Sequence, residues 1–91
     1  NMSYTLIDFY ADWCGPCQVM KPVFADIEKD YTGKIEFKKV DVDADSAMAA
    51  QYGIMSIPTF VILKDGKEIS RKLGAMPKEA LKSWLDSSLN S

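Results

Sequence analysis

The sequence contains no histidine and only two cysteines, and these two absences exclude several function classes at once. Without His, a triad built on an imidazole base and any imidazole-ligated metal site are ruled out. Two cysteines cannot fill the four positions of a structural zinc site unless two chains share the metal or carboxylates complete it. They are also too few and too close for a disulfide scaffold. Long apolar runs are missing as well: nothing approaches the roughly 20 residues of a membrane span, and no basic start leads into an apolar signal core. An excess of one charge is absent too. Eleven basic residues against 13 acidic ones leave a formal charge of -2, and no basic run exceeds Lys38-Lys39. Neither nucleic acid nor a membrane is therefore expected as a partner. There are no repeats, low-complexity tracts or linkers. What remains is 91 residues, 47% hydrophobic and 26% charged, which suits one domain over 1–91 with a thin margin for its core. Asn1 stands ahead of Met2, and Met2 is expected to be the native start.

The hydrophobic pattern gives the order of elements. Tyr4 to Tyr10 (YTLIDFY) is aliphatic and aromatic, as in a strand buried on both faces, with Asp8 its one misfit. From about Cys17 to Tyr31, Met20, Val23, Phe24, Ile27 and Tyr31 fall at helical spacing, with Pro22 expected to kink the helix and Thr32-Gly33 to end it. Ile35 to Val42 (IEFKKVDV) reads as a second strand. Asp43 to Asp45 offers caps for a short Ala-rich helix running to about Tyr52. Thr59 to Lys64 and Glu68 to Leu73 form a hairpin around Asp65-Gly66, a pair suited to a two-residue turn with positive φ. Leu81, Trp84, Leu85 and Leu89 mark the inner stripe of a last helix, which has Pro77 near its start and no polar N-cap. The first two strands should be parallel through a right-handed crossover, and the hairpin adds an antiparallel pair. The expected fold class is α/β, a mixed four-stranded sheet (βαβαββα) with helices on both faces.

The chemistry concentrates at Trp13-Cys14-Gly15-Pro16-Cys17, where a buried strand gives way to a helix. Two intervening residues let both sulfurs reach disulfide distance when the second Cys lies in the first helical turn. Cys14 then sits at the helix N-terminus, where unpaired N–H groups and the macrodipole favour a thiolate. Pro16 presets φ and lacks a donor that the first turn would leave unmet. An inert buried pair and half of a shared metal site are the competing readings of a bare C-x-x-C; the flanking strand and helix, the Gly-Pro insert and the lack of other ligands weigh against both.

Taken together, Asp8 to Cys17 (DFYADWCGPC) closely resembles the active-site segment of the thioredoxin family. The resemblance extends over Pro22, Lys39 to Asp43, Tyr52-Gly53-Ile54, Ser56 to Thr59, Lys64-Asp65-Gly66 and Leu73-Gly74-Ala75, nearly the whole chain. It implies a three-layer thioredoxin-like fold and reduction of protein disulfides. Cys14 would attack a substrate disulfide and Cys17 would resolve the mixed disulfide. Asp8 matches the family's buried carboxylate, which assists deprotonation of the resolving thiol, and burial should raise its pKa. Lys39 matches the lysine that approaches that carboxylate. Ile57-Pro58 matches the cis-proline loop, which offers backbone groups to an extended substrate segment. Trp13, Ile57, Ala75 and Met76 would form an apolar surface around the sulfurs, with Gly15, Pro16, Pro58 and Gly74 completing the substrate-binding set. The resemblance further implies disulfide-containing protein substrates, a thioredoxin reductase or similar flavin-dependent donor, no bound cofactor and a cytoplasmic location. Gly15-Pro16 resembles the insert of the reducing members.

The sequence departs from the family in two places. Only a few residues precede Leu6, where family members carry an additional strand and helix. The strand from Ile35 to Val42 should then be a bare edge, defended by Lys38 and Lys39. A monomer is expected, with weak dimerisation through that edge as the competing hypothesis. Lower stability and a less perturbed Asp8 than in a full-length relative are also expected. Tyr10 stands where a tryptophan is common. Two other functions remain open: a thioredoxin-fold binding module with dispensable cysteines, and an extracytoplasmic disulfide reductase whose leader or anchor has been removed.

Overall fold

The computed structural model describes residues 3–90, so Asn1 and the start expected at Met2 lie outside the described residues. Seven elements follow in the expected order: β1 (Tyr4–Tyr10), α1 (Gly15–Asp30), β2 (Glu36–Asp41), α2 (Ser46–Gln51), β3 (Thr59–Lys64), β4 (Lys67–Leu73) and α3 (Lys78–Leu89). One mixed sheet has the strand order β2-β1-β3-β4. The two inner strands, β1 and β3, carry the longest uninterrupted buried runs, Leu6 to Phe9 and Thr59 to Leu63. β1 runs parallel to β2, with Asp8 opposite Lys39, and antiparallel to β3, with Asp8 opposite Phe60.

Because side chains alternate along a strand, the sheet sorts its apolar residues to two faces. Leu6, Phe60 and Ile62 pack with Met20, Phe24 and Ile27 of α1 and with Leu81, Trp84 and Leu85 of α3. Ile7, Phe9, Val61 and Leu63 form the other cluster, joined by Met48, Tyr52 and Ile54 around α2. Full burial of a side chain such as Leu6 or Ile27 contributes about 1.5–3 kcal/mol, so both layers matter to a chain this small. Asp8 falls on the Leu6 side by alternation, facing the layer that holds α1.

α1 begins at Gly15, earlier than the apolar spacing suggests, because Cys14 itself caps it. Pro16 occupies the first turn, and the helix runs unbroken through Pro22. α2 has Asp45 as its N-cap, whose side chain accepts from the Met48 N–H at 3.0 Å. α3 starts at Pro77 with no side-chain cap, as expected, and Glu79 supplies negative charge near its positive end. In the hairpin both Asp65 (φ 52°) and Gly66 (φ 83°) are left-handed, which matches the strand twist. β4 carries one irregularity: Ile62 pairs with Ser70 and Leu63 with Glu68, so Ile69 bulges out of register.

Both ends of the described chain meet at the same edge of the molecule. Ser3 donates its N–H to the Asp65 carboxylate (2.9 Å) and accepts from the Asp65 N–H (2.7 Å). Tyr4 Oη donates to the Leu89 carbonyl (3.4 Å). β2 is an edge strand among the described residues, and its exposed Lys38 lies 3.7 Å from Glu36.

Candidate active site

The site forms where β1 ends. Ala11 is fully buried, and the Cys14 N–H donates to its carbonyl at 3.2 Å, turning the chain from strand to helix. The Gln18 side chain closes this turn by donating to the Asp12 carbonyl at 2.9 Å. Cys14 and Cys17 are joined as a disulfide with Cα atoms 5.2 Å apart. Cys14 Sγ also accepts the Cys17 backbone N–H at 3.2 Å. That bond is the one a Ser or Asp makes as an N-cap, so the helix start is organised to hold negative charge on this sulfur. Cys14 and Cys17 are both buried, forming a small cluster with Ala11 against which Tyr10, Val42 and Ile57 pack.

Across from the sulfurs lies the proline loop. The Ile57–Pro58 peptide bond is cis. Thr59 Oγ1 donates to the Ser56 carbonyl (2.7 Å), and the Gly74 N–H donates to the Pro58 carbonyl (2.8 Å). Gly74 has φ of 90°, a conformation in which a side chain would be strained. The loop is thereby fixed from both sides, and the Ile57 carbonyl oxygen stands 3.8 Å from Cys14 Sγ. Once the disulfide is reduced, a Cys14 thiol has an acceptor at that position.

Trp13 is 71% exposed and held by its indole N–H, which donates to Asp43 Oδ2 at 2.8 Å. With Val42, Ala49, Ile54, Met55, Ser56 and Ile57 it lines an open, mainly apolar hollow of about 390 Å³ beside the disulfide. Gly15 and Pro16 are exposed on the same turn. Ala75 is exposed beyond Gly74. Met76 is half-buried against the α1–α3 core, and its N–H donates to Met20 Sδ at 3.4 Å. Sequence reasoning missed Met55, Ile54 and Val42 as hollow-lining residues. The signal available was an apolar Ile-Met pair outside any strand or helix, next to a proline loop.

Asp8 is 3% exposed, and its Oδ1 has no hydrogen-bond partner. Burial pushes its carboxyl up to about 6, and the positive charge of Lys39 on the adjacent strand pulls it partly back. The upward shift expected from burial is therefore present. The reason is local: β1 is an inner strand flanked by β2 and β3, and α1 covers this face whatever precedes Tyr4. Lys39 is exposed, and its ammonium sits 4.6 Å from the centre of the Tyr10 ring.

A family model described as thioredoxin matches residues 1–87. The chain belongs to the thioredoxin family. Thioredoxins of Staphylococcus aureus strains Mu50 and MW2 are each 45% identical to it over 84 residues, covering 92% of this chain and 81% of theirs. Among solved structures, a mutant thioredoxin from Halobacterium salinarum NRC-1 superposes with a TM-score of 0.86 at 38% identity, covering 93% of this chain and 74% of its own. Like other members of the thioredoxin family, the chain is a thiol–disulfide oxidoreductase, and Cys14–Cys17 is its redox-active pair. Its substrates are protein disulfides and it is served by a reductase, as the family generally is. No described helix is long and apolar enough to cross a membrane.

Proposed function

We propose that this chain works in the reducing direction as a single thioredoxin-like unit, with Cys14 as nucleophile, Cys17 as resolving thiol and Asp8 as proton acceptor. The observation that carries this reading is the Cys17 N–H directed at Cys14 Sγ at the start of α1, which favours a thiolate on that sulfur alone. The Cys14 thiolate attacks one sulfur of a substrate disulfide. A mixed disulfide forms and the other substrate sulfur leaves as a thiolate. Cys17 then gives up its proton and attacks Cys14 Sγ. The Cys14–Cys17 disulfide is restored and the substrate leaves as a dithiol. Asp8, with a carboxyl near 6, is able to take the Cys17 proton at neutral pH and return it to solvent. Lys39 tunes that carboxyl by its charge. Two electrons and two protons from a thioredoxin reductase or similar donor complete the cycle.

Substrate binding follows from the same surface. Ile57, Pro58 and Gly74 supply a fixed stretch of backbone for an extended segment, while Trp13, Gly15, Pro16 and Ala75 surround the sulfurs. Met76 contributes from below by holding this edge against the core. We further propose a monomer whose β2 edge stays unpaired, a point that light scattering on a concentrated sample decides. The cytoplasm, where reductases keep dithiols reduced, suits this chemistry.

The test is reduction of an insulin-type disulfide with dithiothreitol as donor, comparing the unmodified chain with Cys14→Ser. Acceleration by the first and none by the second is expected. A folded, unmodified chain that gives no acceleration would refute the reductase reading and leave a binding module in its place.

A further inference from the structure

Four methionines lie among the described residues, and the fold treats one of them differently. Met20 is fully buried and its thioether accepts the Met76 N–H. Met48 and Met76 are half-buried against the two core clusters. Met55 is 94% exposed, the most exposed large apolar residue described. It does no evident work for the fold, since the neighbouring Tyr52 and Ile54 make the contacts to the α2-side core. Its position is nonetheless specific. Met55 stands on the rim of the apolar hollow with Trp13 and Ile57, and the Ile57 carbonyl lies beside Cys14 Sγ. A protein docking its disulfide on Cys14 would cover this rim, because two of the residues lining the hollow, Trp13 and Ile57, adjoin Cys14.

The chemistry of the thioether gives this position a consequence. A thioether sulfur is oxidised by a peroxide in a two-electron step: the S–O bond forms as the O–O bond breaks, the transferred oxygen remains as the sulfoxide, and the leaving hydroxide takes up the peroxide proton as water. The product is polar and chiral, and suits an apolar contact poorly. In the disulfide state Cys14 and Cys17 present no thiolate to compete for the oxidant. We propose that Met55 is a peroxide-oxidised modification site, and that its sulfoxide weakens docking of protein substrates while leaving the thiol chemistry of Cys14 intact. The docking half of the proposal rests on the reductase reading above; the modification half rests only on exposure and chemistry.

The experiment exposes the disulfide form of the whole chain to limited hydrogen peroxide and locates added oxygen by peptide mass spectrometry. Oxygen is expected on Met55 at doses that leave Met20, Met48 and Met76 unmodified. The treated protein is then reduced and assayed with two substrates. For a protein disulfide, KM should rise about fivefold with kcat unchanged, the size of losing one rim contact. For a small aromatic disulfide, too small to reach the rim, turnover should not move. Met55→Leu should show the same KM before and after peroxide, and a methionine sulfoxide reductase should restore the treated wild type. Oxidation of any buried methionine ahead of Met55 overturns the modification site. An unchanged KM with Met55 fully oxidised overturns the docking effect. If the untreated chain reduces neither substrate, the reductase reading and the docking half fail together, while the peptide map still decides the modification half.

Discussion

Replacing Asp8 by Asn should make the protein more stable at neutral pH and leave it no more stable in acid. In the folded chain the carboxyl titrates near 6, against 3.8 for the unperturbed group. Between those values the native state holds a proton that the unfolded state has lost, so unfolding releases protons and stability falls as pH rises. The stability associated with the protonated form is complete below about 4, is lost as pH climbs through about 6, and stays lost above. A difference of about two pKa units at about 1.4 kcal/mol each gives close to 3 kcal/mol of destabilisation at pH 8. Asn has the shape of the carboxyl without its charge, and so removes most of that cost. With an m-value of about 1–1.5 kcal/mol/M in urea for a small domain, the Asp8→Asn midpoint should sit about 2 M higher at pH 8. At pH 4 the two midpoints should nearly coincide. Urea titrations followed by tryptophan fluorescence, on the disulfide form of both proteins, provide the comparison. Equal midpoints at pH 8, or a gap that is as large at pH 4 as at pH 8, would refute the claim that a buried, ionised Asp8 strains the fold.

Two further predictions follow from the site. Cys17→Ser should accumulate a mixed disulfide with substrate through Cys14, visible as a single added mass that dithiothreitol removes; an unmodified product would show that Cys14 is not the attacking sulfur. Tyr10→Leu keeps an apolar cover near the sulfurs but removes the ring beneath the Lys39 ammonium, a contact worth about 0.5–1 kcal/mol at an exposed site. Lys39 then samples more positions and stabilises the Asp8 carboxylate less, so a carboxylate NMR titration should find Asp8 above its wild-type value; a fall toward 4 would instead assign Tyr10 the role of excluding water.

Much of this architecture is legible in the sequence because its signals are strong and local. β1 is a continuous apolar run, α1 shows helical spacing over four buried residues, and Asp65-Gly66 supplies the turn conformation the hairpin demands. What was not legible depends on contacts remote in sequence. The bulge at Ile69 is a matter of register against β3. The hollow beside the disulfide draws on the redox turn, the end of β2, α2 and the proline loop, and no one of these segments announces it. Asp8 was legible as a misfit in an apolar strand, but the depth of its burial follows from β1 lying inside the sheet, which the order of elements alone does not give.

The pairing of Ser3 with Asp65, and of Tyr4 with Leu89, has a use beyond stability. β1 carries the chain from that corner to the cysteines over seven residues, a span of about 23 Å. Ser3 and Leu89, near the two ends of the described residues, therefore lie at the pole opposite the disulfide. Whatever is attached at either end, whether a neighbouring polypeptide, a surface or an electrode, holds the domain by its back and turns the redox face outward.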